Sequence, residues 1–145
     1  METKAGISLE IFSKGFNCAQ AVLASHAGEY GVDPVTAKKI AAAFGGGMAN
    51  NGEVCGAVTG ALMLLGLRYG RYREDDNNSK ENTNRISNKY ICKFKEEYGS
   101  IKCKDLIKLD LSKEEELLQA RESGVFKTIC PALIKGSVEL VEEVL

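Results

Sequence analysis

The sequence has no excess of charge of either sign and no apolar run long enough to cross a membrane. Its 19 Lys and Arg residues are balanced by 20 Asp and Glu residues, which gives a formal net charge of -1. Nucleic-acid-binding proteins normally carry a basic excess, so we expect no nucleic-acid partner. The most apolar stretch, Val54 to Leu67, is shorter than the roughly twenty residues that span a bilayer. It predicts a buried core helix and no membrane span.

A secretory signal is also missing at the N-terminus. Met1 to Lys4 lack the charged and then apolar order of such a signal, so we expect a cytoplasmic protein. The chain has five cysteines. Structural disulfides are uncommon in the cytoplasm, where thiols are kept reduced. Metal binding, cluster binding or redox chemistry is therefore the leading interpretation of the cysteines.

Neither of the common nucleotide-binding glycine motifs occurs. The segment Gly45 to Gly52 is rich in glycine but contains neither GxGxxG nor GxxxxGK[ST]. It predicts a helix stop followed by a turn. In a weaker alternative, Gly45, Gly46 and Gly47 contact a cofactor or a small anion. The chain would then be a non-catalytic scaffold or a small-anion-binding module.

Helical periodicity is the main structural signal that the sequence does contain. The chain has 145 residues, 44% of them apolar, which is enough for one core and a single domain over residues 1–145. Asn17 and Asp33 precede helical patterns as capping residues, and Pro34 suits a first helical position. No stretch alternates as a strand would. We predict an all-α, compact single-domain bundle of about five to seven helices around an apolar central helix at about residues 54–69.

Further sequence signals predict where particular helices start and pack. Ser112 and Glu115 have the spacing of a capping box, which predicts a helix from Ser112 to Arg121. The last helix is predicted from Cys130 to Leu145, with Pro131 in its first turn. On the central helix, two glycines four residues apart predict the close approach of a neighbouring backbone; they are Gly56 and Gly60.

Four of the five cysteines fall at or within the first turn of a predicted helix: Cys18, Cys55, Cys103 and Cys130. A helix N-terminus carries about half a positive elementary charge and free amide hydrogens, which favour the thiolate. The thiolate is the reactive and metal-binding form, so these four cysteines are the predicted site residues. Cys92 lies in mid-helix beside apolar residues and is predicted to have a packing role.

Two kinds of chemistry are open to these four cysteines. In one, they form a reversible dithiol/disulfide couple that exchanges electrons with an unidentified redox partner protein, with Cys55 attacking and Cys18 resolving. In the other, all four sulfurs bind an iron-sulfur cluster or a zinc ion, although no C-x-x-C pair occurs in the sequence. A homodimer is expected if an apolar face stays uncovered.

The segment from Cys55 to Gly60 reads CGAVTG and so contains a CGAxxG motif. With Asn17-Cys18, the glycines from Gly45 to Gly47, Cys103 and Cys130, it makes the chain resemble the family of redox-active proteins named for the C_GCAxxG_C_C cysteine pattern. The resemblance implies a helical domain of about this length and a redox role. It also implies that the four family cysteines are those already identified and that Cys92 is not among them.

Overall fold

A computed structural model describes residues 2–145 of the protein. Eight α-helices are formed in this range: α1 (Lys4–Ser13), α2 (Cys18–His26), α3 (Pro34–Ala41), α4 (Gly56–Tyr69), α5 (Asn77–Tyr98), α6 (Cys103–Ile107), α7 (Glu114–Ser123) and α8 (Val125–Val144). Within residues 2–145, the only strand-like pairing is an isolated antiparallel bridge between Val54 and Lys102. The predicted all-α fold is confirmed, with one helix more than the upper end of the predicted range.

Two of the helix starts predicted from capping residues are confirmed. The Asn17 side chain accepts a hydrogen bond from the Gln20 backbone, and the Gln20 side chain accepts one from the Asn17 backbone. Asp33 accepts a hydrogen bond from the backbone of Thr36, and Pro34 opens α3. Both caps satisfy amide hydrogens that would otherwise lack a partner at the helix N-terminus.

Two other predicted helix starts are wrong. Ser112 donates through both its backbone and its hydroxyl to Asp110, so the predicted capping box does not form and α7 begins at Glu114. Helix α8 begins at Val125, so Cys130 lies inside it and Pro131 is an interior proline. Proline has no backbone N–H, and the carbonyl four residues earlier therefore lacks its usual helical donor.

Helix α4 lies at the centre of the fold, as predicted. Its buried residues include Ala57, Val58, Leu64 and Leu65, and it packs against α2, α5 and α8. The two predicted close-approach glycines face α2, where a Cβ atom at Gly60 would lie 2.9 Å from the Ala19 carbonyl oxygen. None of the helices in residues 2–145 has both the length and the apolar character that a membrane span requires.

The contact between α2 and α4 predicts opposite effects of alanine at two glycines of α4. Gly60→Ala is expected to lower the free energy of unfolding by about 1–3 kcal/mol, because the new methyl group meets backbone that cannot easily move. Gly66→Ala is expected to raise it by about 0.5–1 kcal/mol, because nothing lies within 4 Å of the new atom and alanine favours the helix. Urea denaturation of both variants tests the pair. A loss at Gly66 equal to that at Gly60 would contradict the packing explanation.

A buried hydrogen-bond chain joins three helices near the start of α4. The Ser137 hydroxyl on α8 donates to the Ala57 carbonyl on α4 at 2.7 Å, and the Tyr90 hydroxyl on α5 lies 2.6 Å from the Ser137 oxygen. Ser137 and Tyr90 are fully buried, so each group depends on this chain for its partners. The chain fixes the backbone two residues after Cys55.

Candidate functional site

All four predicted site cysteines line one cavity of about 970 Å³. Three of them, Cys55, Cys103 and Cys130, are buried, and Cys18 is partly buried. Every pair among the four thiols interacts electrostatically. Cys92 does not line this cavity and is exposed on α5, so its predicted packing role is wrong. The fold thus brings together cysteines that are dispersed in the sequence.

Three of the four cysteines lie at helix starts, as predicted. Cys18 is the first residue of α2, Cys55 is the capping residue before α4, and Cys103 is the first residue of α6. Cys130 is the exception, because it lies well inside α8. The common helix-start environment predicted for all four is therefore wrong for Cys130.

The isolated bridge positions Cys55 and Cys103 relative to each other. The Cys55 N–H donates to the Ile101 carbonyl at 2.7 Å, and the Cys103 N–H donates to the Glu53 carbonyl at 2.6 Å. Each cysteine follows a bridge residue, so both side chains lie on one side of the pairing, in diagonal positions. The Cα atoms of diagonal neighbours are about 7–8 Å apart, whereas those of a disulfide are usually about 4.4–6.8 Å apart. Cys55 and Cys103 therefore face the same cavity but are not placed to bridge each other.

Cys18 and Cys130 line the same cavity and influence each other's ionisation. This interaction is the largest cause of the pKa shift at both residues: it raises the pKa of Cys18 well above its ordinary value and lowers the pKa of Cys130. Opposite shifts of this kind are expected when one thiol of a neighbouring pair keeps its proton and the other is the first to ionise. Burial opposes this effect at Cys130 but does not cancel it. The activating group at Cys130 is thus a second cysteine.

Burial decides the pKa of the other two cavity cysteines. It raises the pKa of Cys55 to about 11, although the backbone N–H groups of Ala57 and Val58 act in the opposite direction. It raises the pKa of Cys103 to about 12, with the neighbouring Cys55 and Cys130 adding to the shift. The predicted lowering of the thiol pKa by helix N-termini is therefore wrong for Cys18, Cys55 and Cys103. Burial outweighs the helix dipole at Cys55 and Cys103, and the neighbouring Cys130 followed by burial outweighs it at Cys18.

The glycine-rich segment forms one wall of the cavity through a left-handed turn. Five consecutive residues have positive φ angles, from 63° at Gly46 to 62° at Asn50, and Met48 and Ala49 are among them. A Cβ atom at Gly45 would lie 2.6 Å from the Asn17 side chain. These contacts with the protein itself account for the glycines at positions 45, 46 and 47. Their contact with a cofactor stays a prediction, although all three line the cavity.

The Cys18–Cys130 interaction predicts how the reactivity of Cys130 depends on pH. In a Cys92→Ser background, Cys18→Ala is expected to slow alkylation of Cys130 severalfold at pH 7 and to shift its pH profile to higher pH, because the thiolate loses its donor. Cys18→Ser retains a hydroxyl donor and is expected to keep most of the wild-type profile. Iodoacetamide rates followed by peptide mass spectrometry from pH 6 to 10 test this. Identical profiles for the alanine variant and the wild type would contradict it.

A metal centre is not preformed in the described part of the chain. Within residues 2–145, no group of three or more His, Cys, Asp or Glu side chains is arranged to hold a metal ion. The predicted zinc or iron-sulfur site at Cys18, Cys55, Cys103 and Cys130 thus has the right residue types around one cavity, but it stays a prediction.

Comparison with known proteins identifies the family to which the chain belongs. Residues 16–144 match the family model described as "Putative redox-active protein (C_GCAxxG_C_C)". No curated protein and no solved structure gives a match. The matched region contains all four cysteines that line the cavity. Because the match covers nearly the whole chain, the protein belongs to the C_GCAxxG_C_C family.

Proposed function

We propose that the protein is a thiol redox protein in which Cys18 and Cys130 alternate between a dithiol and a disulfide. The observation that carries this proposal is that both thiols line one cavity, where each shifts the pKa of the other. It joins a cysteine with a lowered pKa to a second cysteine placed to resolve the intermediate. The family's description as redox-active supports the same class of function.

The reaction starts with the Cys130 thiolate and a disulfide supplied by a redox partner. The thiolate attacks one sulfur of the partner disulfide, that S–S bond breaks, and one partner thiolate leaves. Cys18 then passes its proton to the released thiolate and attacks the Cys130 sulfur. The Cys18–Cys130 disulfide forms and the second partner thiolate leaves, taking a proton from solvent. Two electrons have moved from the cysteine pair to the partner, and the reverse sequence reduces the pair.

This proposal moves the attacking role from Cys55 to Cys130. With a pKa of about 11, only roughly one Cys55 thiol in ten thousand is ionised at pH 7. Cys103 is protonated still more completely, because its pKa is about 12. Both therefore remain neutral beside the reacting pair and do not compete with Cys130 for the partner disulfide.

The proposed function includes a cellular compartment and a redox partner. All five cysteines are free thiols in the structure. The proposed compartment is a reducing one such as the cytoplasm, where a thiol protein exchanges electrons with soluble disulfides. The partner is proposed to be a protein or a small molecule with an exposed disulfide.

Disulfide mapping tests the proposed couple. Mild oxidation with hydroxyethyl disulfide is expected to remove two titratable thiols in a Cys92→Ser background, to link Cys18 to Cys130 in peptide maps, and to be reversed by dithiothreitol. Cys130→Ser is expected to abolish this reversible loss, whereas Cys55→Ser is expected to retain it. A link that involves Cys55 or Cys103 in place of Cys18 or Cys130 would contradict the assignment.

The same preparation decides between a dithiol couple and a cluster. Protein purified without oxygen is expected to be colourless and to contain no stoichiometric iron or zinc. A visible absorbance band with iron and sulfide bound, lost on replacement of each of the four cysteines, would overturn the couple in favour of a cluster.

A further inference from the structure

We propose that the cavity beside Cys18 and Cys130 binds a small organic disulfide that has an apolar body and a carboxylate group. This substrate assignment rests on the thiol exchange proposed above and adds the chemistry that the cavity selects. The cavity holds far more space than two sulfur atoms need, and its lining is mainly apolar with a single charged residue.

The apolar body of the proposed ligand is inferred from the side chains that line the cavity. The volume of about 970 Å³ lies at the upper end of the range for small-molecule sites. Aromatic and aliphatic side chains from several helices form most of the lining, among them Phe12 on α1, Leu106 on α6 and Phe126 on α8. All three are only partly buried, so the cavity leaves apolar surface that a ligand can cover. An apolar ligand would be held by this surface beside the thiols.

The carboxylate group of the proposed ligand is inferred from the single charge that lines the cavity. Within residues 2–145, Lys127 is the only charged residue that lines it, and no carboxylate side chain does. Lys127 is exposed and, among the described residues, has no ion-pair partner. It lies three residues before Cys130 on α8, a spacing that places both on one face of the helix. A carboxylate held by the Lys127 ammonium would therefore lie close to the attacking sulfur.

The polar lining residues are compatible with this assignment. Besides Lys127 and the cysteines, the polar residues that line the cavity are the neutral side chains of Ser13, Asn17 and Asn50. The lining thus combines apolar surface, neutral amides and one cation beside a nucleophilic thiolate. A cationic disulfide would meet repulsion from Lys127 without a compensating acid, whereas an anionic one gains a charge-assisted hydrogen bond.

Two aromatic disulfides separate the contribution of the carboxylate. In a Cys92→Ser background, 5,5′-dithiobis(2-nitrobenzoate) is expected to react with rates that saturate as its concentration rises, releasing two thionitrobenzoate ions per protein in the fast phase. Lys127→Gln is expected to slow this reaction about fivefold to tenfold and to leave the reaction with neutral 4,4′-dithiodipyridine within about twofold. Lys135→Gln is the matched control. Lys135 is an exposed lysine of α8 that pairs with Glu139 and does not line the cavity.

The outcomes distinguish this inference from the function on which it rests. Three results would overturn the substrate assignment and leave the dithiol couple intact. Lys127→Gln could slow the reactions with both aromatic probes equally, or Lys135→Gln could slow the reaction with 5,5′-dithiobis(2-nitrobenzoate) as much as Lys127→Gln does. The third is a reaction rate that stays linear in the probe concentration. Hydroxyethyl disulfide, which lacks the aromatic body and the carboxylate, is expected to show no saturation, and saturation with it would also overturn the assignment. If neither aromatic probe releases two thiolates per protein in a fast phase, the Cys18–Cys130 couple itself is overturned.

Discussion

Replacing Gly47 with alanine is expected to lower the free energy of unfolding by about 3–5 kcal/mol. The residue has a φ angle of 71°, where an L side chain is strained. A Cβ atom there would lie 2.5 Å from the Glu53 nitrogen, 2.7 Å from the Gly52 carbonyl carbon and 2.8 Å from the Cys103 Cβ. Two of these neighbours are backbone atoms, so the clash cannot be relieved by a side-chain rotation. Urea denaturation measures the loss.

Ala49 provides the matched control within the same turn. It is exposed and has a φ angle of 53°, so Ala49→Gly relieves the strain of a left-handed alanine. The gain is partly offset by the greater freedom of glycine in the unfolded chain, and the expected change is between zero and about 1 kcal/mol of added stability. A large loss on Ala49→Gly, or no loss on Gly47→Ala, would contradict the left-handed turn.

Alkaline pH is expected to destabilise the protein through its buried thiols. The folded state holds the proton of Cys55 up to a pKa of about 11, whereas the unfolded chain releases it near 9. A raised folded-state pKa contributes stability that is complete below the unfolded pKa and is lost as pH rises through the folded pKa. For Cys55 alone, the expected loss between pH 8 and pH 10.5 is about 2 kcal/mol.

The Cys55→Ser variant isolates this contribution, because serine does not titrate in that range. The variant is expected to lose less of its unfolding free energy than the wild type over the same interval, whatever its stability at pH 8. Cys92→Ser changes an exposed cysteine and is expected to follow the wild-type slope. Parallel slopes for the Cys55→Ser variant and the wild type would show that Cys55 does not keep its proton in the folded state.

Much of the helical architecture could be predicted because it depends on neighbours in sequence. The caps at Asn17 and Asp33 need only a partner three residues later, and the core pattern of α4 needs only its own residues. Ser112 was mispredicted because Asp110, two residues earlier, competes for its hydroxyl. Pro131 was mispredicted because tertiary packing keeps α8 continuous through a residue that usually opens a helix.

The cysteines that line the candidate site could be predicted from the sequence, but the directions of their pKa shifts could not. Cysteine type, number and helix-start positions were enough to group Cys18, Cys55 and Cys103. The direction of each pKa shift depends on burial and on which thiols meet, and both are properties of the complete fold. Lys127 carried no signal in the sequence, since its importance comes only from being the one charge at the cavity.

The contact between Cys18 and Cys130 also has a consequence for biosynthesis. Cys18 lies at the start of the second helix and Cys130 in the last one, so their pairing joins distant parts of the chain. During translation, the first seven helices leave the ribosome before Cys130 can meet its partner. Until the last helix docks, Cys18 therefore lacks the partner of the proposed couple. The proposed Cys18–Cys130 disulfide is therefore a bond that the chain can form only after synthesis of its last helix has begun.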